Sequence, residues 1–331
     1  MNISRRAFLQ ASTALGIALI PGIHSSGISM HIAEDKKNRI ALSQWAFHRA
    51  IFGDLKENDY HEWLRLLKTD PDQTWQGELH PLDFPVKARE LGFGAVEYVN
   101  TLMYGHARDT VFLKELKGRT QSEGIENMLI MVDEEGMLGD PDAAKQKEAV
   151  TRHANWLYAA KELDCFAIRV NAHSVGDWEE QKKRCVDGLH QLLENAREMD
   201  LSILIENHGG LSSNPDWLLQ TIQLVDDPRL GTMVDFDNFQ WSQTRIWNGE
   251  HRYDRYEGVS KLMPLAKAVS AKSYAFDDSG YETTIDFKRM MGIVAESGYD
   301  GHISAEFEGN QLSEKDGTLA TKSLIERYLS S

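Results

Sequence analysis

Eight short apolar runs, each followed by a stretch of helical character, alternate along this chain from residue 40 to its end. The runs are Ile40 to Trp45, Ala95 to Val99, Asn127 to Val132, Phe166 to Val170, Leu201 to Ile205, Gly231 to Val234, Ala268 to Ser273 and Gly301 to Ala305. The helical stretches are Phe84 to Leu91, then 108–123, 140–163, 177–199, 214–225, 254–266, 286–297 and 312–329. Eight strand–helix pairs in order, with no internal repeat and no low-complexity linker, predict an α/β fold, a single-domain (β/α)8 TIM barrel over residues 34–331. An open doubly wound sheet would need a Gly-rich phosphate turn after its first strand, and Gln44-Trp45-Ala46-Phe47-His48 is not one. Residues 52–80, rich in Trp, Asp and Lys, read as an irregular polar insertion.

The residues ahead of the barrel read as an address. Ser4-Arg5-Arg6-Ala7-Phe8-Leu9 has the form of a twin-arginine signal, and an apolar stretch from Ala11 to Ile20 follows it. That stretch is too short to span a bilayer and has the small residues of a signal segment. The expectation is export to the periplasm, with residues 1–33 as signal peptide and mature tail and no membrane attachment after processing. The formal net charge is −15, and residues 1–26 carry Arg5 and Arg6 but no acid, so the processed chain is more acidic still. Such a balance, with no basic run, argues against nucleic acid and anionic membranes as partners. Cys165 and Cys185 form no metal motif and read as two unpaired thiols.

A barrel of this kind works at the C-terminal ends of its strands. Here those ends are polar where the strands feeding them are apolar: Gln44 and His48, Glu97 and Asn100, Arg169, Asn171 and His173, Glu206 and His208, Asp235 and Asn238, Ser270 and Lys272, Glu306 and Glu308. Side chains alternate along a strand, so Glu206 and His208 share a face, as do Ser270 and Lys272, and Glu306 and Glu308. Carboxylates gathered at one barrel end need cationic partners, and a hard divalent metal would neutralise them. The runs Asp133-Glu134-Glu135 and Asp277-Asp278 read instead as solvated loops.

The order Glu206 on strand five, Asp235 on strand six, x-x-Lys272 on strand seven and Glu306 on strand eight resembles the xylose isomerase-like TIM-barrel superfamily over residues 38–329. That group includes sugar phosphate isomerases/epimerases, inosose dehydratases, ketose 3-epimerases and endonuclease IV-like enzymes. The resemblance implies one divalent ion (Mn, Co, Zn or Mg) held by Glu206, Asp235 and Glu306. The fourth ligand of the group is a His two residues before the strand-seven Lys. Ser270 stands at that position here, leaving His208 or a water for the fourth place. Lys272, His208, Glu97 and His173 are then candidate catalytic residues, and Gln44, His48, Asn171, Asn238 and Trp241 candidate substrate-binding ones. Glu206 paired with Lys272 in a barrel-end ion pair is the structural alternative.

The function expected is a sugar isomerase or epimerase that removes the proton α to a sugar carbonyl through a metal-bound enediolate. Elimination from a 3-keto-glycoside by a lyase or dehydratase uses the same intermediate and stays open. So does a non-catalytic periplasmic carbohydrate-binding barrel. A repair endonuclease would need His-rich zinc sites and a basic groove, which this sequence does not offer. The expected partner is a small-molecule sugar or glycoside, unphosphorylated because no Arg- or Gly-rich loop follows strands seven and eight. A homo-oligomer is compatible with this reading.

Overall fold

The computed structural model describes residues 39–247 and 249–329, so the export segment lies outside the described residues. The barrel is closed and parallel. Its strands are β1 (Ile40–Ser43), β2 (Ala95–Val99), β3 (Glu126–Met131), β4 (Ala167–Val170), β5 (Ser202–Glu206), β6 (Leu230–Asp235), β7 (Ala266–Ser273) and β8 (Ile303–Phe307). Each pairs with its chain neighbour, and β1 pairs with β8 to close the ring. Between and after them run α1 (Phe84–Glu90), α2 (Thr110–Glu123), α3 (Ala143–Glu162), α4 (Trp178–Met199), α5 (Pro215–Val225), α6 (Arg255–Leu262), α7 (Phe287–Glu296) and α8 (Glu314–Leu329).

Local chemistry explains where the helices begin. Asp109, Asp142, Asp177, Asn214, Asp254 and Asp286 each accept backbone N–H bonds at a helix start. Asp177 and Glu180 form a reciprocal capping box. Gly124, with φ +63°, ends α2 in the left-handed conformation. With the strands buried between these helices and the barrel interior, the polar side chains that can reach an open cavity are those at the C-terminal strand ends, which positions the site.

Two expectations change. The insertion after β1 is largely helical: Leu55–Asn58 and Tyr60–Thr69, the latter capped by Asp59 and burying Trp63, Leu66 and Leu67. The apolar spacing 63, 66, 67 is a helical stripe hidden among charged residues. β8 begins at Ile303 rather than Gly301, because the Arg39 guanidinium takes the Gly301 carbonyl while Ile303 N–H reaches the Arg39 carbonyl. The loop after β6 carries a two-stranded ribbon, Gln240–Trp241 against His251–Arg252. Cys165 and Cys185 are both buried and free, as expected.

Candidate active site

The C-terminal strand ends open into a cavity of about 590 Å³. Its floor holds the acidic groups and two buried cations. Strand register delivers them: Glu306 lies opposite Lys272, and Asp235 opposite Ser270.

Lys272 is the centre of one half. Its Nζ lies 2.7 Å from Glu306 Oε1, 2.9 Å from Glu308 Oε1 and 3.4 Å from Asp235 Oδ2. Burial opposes its charge, but Asp235, Glu306 and Glu308 hold the ammonium well above the ordinary lysine range. The other Glu306 oxygen accepts from Ser43 Oγ at 2.9 Å and Ser270 Oγ at 3.3 Å. Asp235 Oδ1 accepts the backbone N–H of Asp237 at 2.7 Å and of Asn238 at 2.9 Å. Burial and the neighbouring carboxylates push Asp235 up to about 8 despite Lys272.

Arg169 is the centre of the other half. Its Nε lies 2.7 Å from Glu206 Oε2, off the hydrogen-bonding line, and its Nη1 donates to Asp133 Oδ1 at 2.8 Å. Burial would raise Asp133, but Arg169, followed by His208 and Asn171, holds it well below the usual carboxylate range. Glu206 Oε1 accepts from Asn238 Nδ2 at 2.9 Å, and burial pushes Glu206 up to about 7.

From Asp133 a hydrogen-bond chain reaches a histidine. Asn171 Nδ2 donates to Asp133 Oδ1 at 2.6 Å, and Asn171 Oδ1 lies 2.9 Å from His208 Nδ1. An ionised carboxylate only accepts, which fixes the Asn171 amide with its oxygen toward His208. His208 Nδ1 therefore carries the proton and Nε2 keeps its lone pair. Burial and Arg169 lower His208 to about 4, so the ring is neutral at pH 7. His173 donates from Nε2 to the His208 carbonyl at 2.9 Å, and burial lowers it to about 4 as well.

The walls are aromatic. The Trp247 ring meets His208 at 4.8 Å and His173 at 5.7 Å, both edge to face. Gly209, at φ +72° and ψ 160°, makes this approach, since a Cβ there would come 3.0 Å from the Trp247 ring. Trp45, just after β1, and Lys56, Tyr60 and Trp63 from the insertion also line the cavity, with Lys56 Nζ 4.8 Å from the Trp45 ring centre.

The expected residues thus divide. Lys272, His208, His173, Asn171, Glu206 and Glu306 line the cavity, and Asp235 is buried beside Lys272. Glu97 is buried outside the cavity lining, and burial raises it to about 8. Gln44 is spent on the Val99 N–H, 3.0 Å away. His48 stacks on Trp45 and bonds its carbonyl, and Asn238 acts through Glu206. Trp241 packs on Trp178 and His251 away from the cavity, whereas Trp247 lines it.

Two other readings are corrected. The Glu206–Lys272 ion pair is replaced by Glu206–Arg169 and Lys272–Glu306, because strand register sets Lys272 beside Glu306. Asp133-Glu134-Glu135 is not a solvated loop. Asp133 binds Arg169, and Glu135 accepts from Trp156 Nε1 at 2.6 Å and from Tyr104 at 3.0 Å. Asp133 directly follows the expected third strand, and that position was the available signal. Asp277 and Asp278 are exposed, as expected.

Glu206, Asp235 and Glu306 do gather at one barrel end, but their surroundings do not fit the expected divalent ion. Among the described residues, no three His, Cys, Asp or Glu side chains are set to hold one. Ammonium and guanidinium groups occupy that space instead.

Comparisons with known proteins agree with this architecture. The sequence model described as xylose isomerase-like TIM barrel matches residues 85–328. A curated relative, the 3'-dehydrocarminate deglycosidase alpha subunit of a Microbacterium species, is 23% identical over 266 residues, covering 60% of this chain and 73% of that protein. The 3-keto-D-glucoside 4-epimerase of E. coli in its apo form superposes with a TM-score of 0.58 at 15% identity, covering 74% of this chain and 94% of that one. The IOLI protein with a bound zinc atom superposes at 0.60 with 14% identity, covering 88% and 98%.

Proposed function

Because this chain belongs to the xylose isomerase-like TIM barrel family, we propose that it is a sugar-modifying enzyme that moves the proton α to a carbonyl of a sugar or glycoside. The observation that carries the reading is the Arg169–Asp133–Asn171–His208 chain, which presents a neutral imidazole in the cavity beside Glu206 and Lys272. The deglycosidase relative and the keto-glucoside epimerase neighbour support a sugar or glycoside substrate.

The chemistry follows from the groups present. Aromatic rings suit the apolar faces of a sugar, and Trp247 and Trp45 stand on the cavity wall. Glu206, raised to about 7 by burial, is poised to take a proton near neutral pH. His208 Nε2 is a second acceptor. As the C–H bond breaks, its electron pair moves to the carbonyl oxygen, and the Lys272 ammonium is the donor that holds the negative charge formed there. Return of the proton to the opposite face is epimerisation, and its return through the neighbouring carbon is isomerisation. Departure of a β-substituent with its electron pair is elimination, the outcome suited to a 3-keto-glycoside.

Incubation with free sugars and 3-keto-glycosides in D₂O tests this. Deuterium should appear at one carbon, or an aglycone should be released. Tight sugar binding with neither exchange nor release across the panel would establish the carbohydrate-binding barrel instead. We further propose periplasmic export, supported by Ser4-Arg5-Arg6-Ala7-Phe8-Leu9. A mature, active protein found only in the cytoplasmic fraction would refute it.

A further inference from the structure

We propose that Lys272 is the resident cation of this barrel and that the site holds its acidic groups without a divalent metal. The inference takes its location from the sugar site proposed above and rests on that reading only for the nature of the substrate.

The ammonium stands among three carboxylates from two strands and the segment after β8. Its Nζ donates to Glu308 Oε1 at 2.9 Å, while Glu306 Oε1 and Asp235 Oδ2 face it as ion-pair partners at 2.7 and 3.4 Å. Lys272 faces Glu306 across the β7–β8 register, so closing the barrel delivers this cation to this place without any exogenous ion.

Four of the six oxygens in the expected ligand set are already engaged. Glu306 uses one oxygen for Lys272 and the other for Ser43 and Ser270. Asp235 uses Oδ1 for two backbone N–H groups. Glu206 uses Oε1 for Asn238. The remaining two, Asp235 Oδ2 and Glu206 Oε2, are buried without a hydrogen-bond donor. Each nevertheless faces a fixed positive charge, Lys272 at 3.4 Å and Arg169 at 2.7 Å. A divalent ion takes oxygens at roughly 2.0–2.6 Å. Bound to Glu306 and Asp235 it would press on the ammonium already between them, and bound to Glu206 it would strip the partner from a buried guanidinium. Ser270 sets its hydroxyl toward Glu306 rather than offering a nitrogen ligand. Two buried cations therefore do the neutralising that an ion would otherwise do.

The test needs no sugar, so it succeeds or fails independently of the enzymatic reading. Full-length protein purified without chelator is analysed for bound metals, and its thermal midpoint is followed with EDTA and with millimolar manganese or zinc. Wild type should carry far less than one equivalent of any divalent metal and show no change of midpoint. Lys272→Met should acquire a midpoint that rises with manganese, because the acidic cluster then lacks its cation. One retained equivalent in wild type, or a midpoint lowered by EDTA, overturns the proposal. A Lys272→Met protein as indifferent to manganese as wild type overturns the assignment of the ammonium to the cation's place. Should that variant not fold, the wild-type measurements decide alone.

Discussion

A single amide determines how the His208 ring can work. Asn171 is bound by Asp133 on its nitrogen side, so it shows only oxygen to His208 Nδ1. Without that acceptor the imidazole is free to rotate or to place its proton on Nε2, the atom proposed above as a proton acceptor. Asn171→Ala should therefore lower kcat on the sugar identified by deuterium exchange by about 10- to 100-fold with KM little changed. Since Asn171 acts through His208, the same variant should add little loss in a His208→Gln background. Equal losses in both backgrounds would show that Asn171 acts elsewhere. The same residue-level logic explains Arg169: a guanidinium buried on a strand is tolerated because Asp133 and Glu206 meet it from two sides.

At the scale of elements, the barrel supplies a rigid floor and its loops supply the walls. The turn after β1 supplies Trp45 to the wall, the insertion supplies Lys56, Tyr60 and Trp63, and the loop after β6 supplies Trp247. The turn after β5 joins floor to wall. Gly210 N–H donates to the Ile246 carbonyl at 2.7 Å, and Gly209 leaves room for the Trp247 ring. The backbone of Gly209 lies in a region open essentially to glycine alone. Gly209→Ala should cost roughly 1–3 kcal/mol of stability from strain and shift the Trp247 loop, raising KM for sugar more than it lowers kcat. Thermal denaturation and Trp247 fluorescence check this, and an unshifted midpoint with unchanged KM would refute it.

At the scale of the whole molecule, burying many ionisable groups links folding to pH. His153, on α3 beside the cavity, is lowered to about 4 by burial, while its Nδ1 bonds the Ala149 carbonyl at 2.8 Å. Above the ordinary histidine value it is neutral folded and unfolded, and it costs nothing. As pH falls from 6.5 toward 4, the unfolded chain binds a proton that the folded chain refuses, so stability is lost in that window. Glu97, raised by burial to about 8, acts in the opposite sense and loses its stabilising contribution as pH rises toward 8. The two trends overlap, so the informative quantity is a difference. Wild-type stability relative to His153→Gln should fall by up to ~3 kcal/mol between pH 6.5 and pH 4. Parallel pH–stability curves for the two proteins would disprove the assignment.

The strand–helix alternation, the single-domain barrel, the helix starts and the set of polar strand ends were legible along the chain, because each depends on neighbours within a few residues. Apolar period, Asp and Asn caps and side-chain alternation are local, and Glu206, His208, Asp235, Lys272 and Glu306 stood out by that rule. Which of these groups meet was decided only by closure. Register set Lys272 against Glu306, and the β3–β5 neighbourhood brought Asp133, Arg169 and Glu206 together from positions far apart in sequence. Whether a carboxylate cluster is balanced by an ion or by the chain's own cations depends on those distances. It is a property of the packed barrel, where low polarisability makes every buried charge answer to its nearest neighbours.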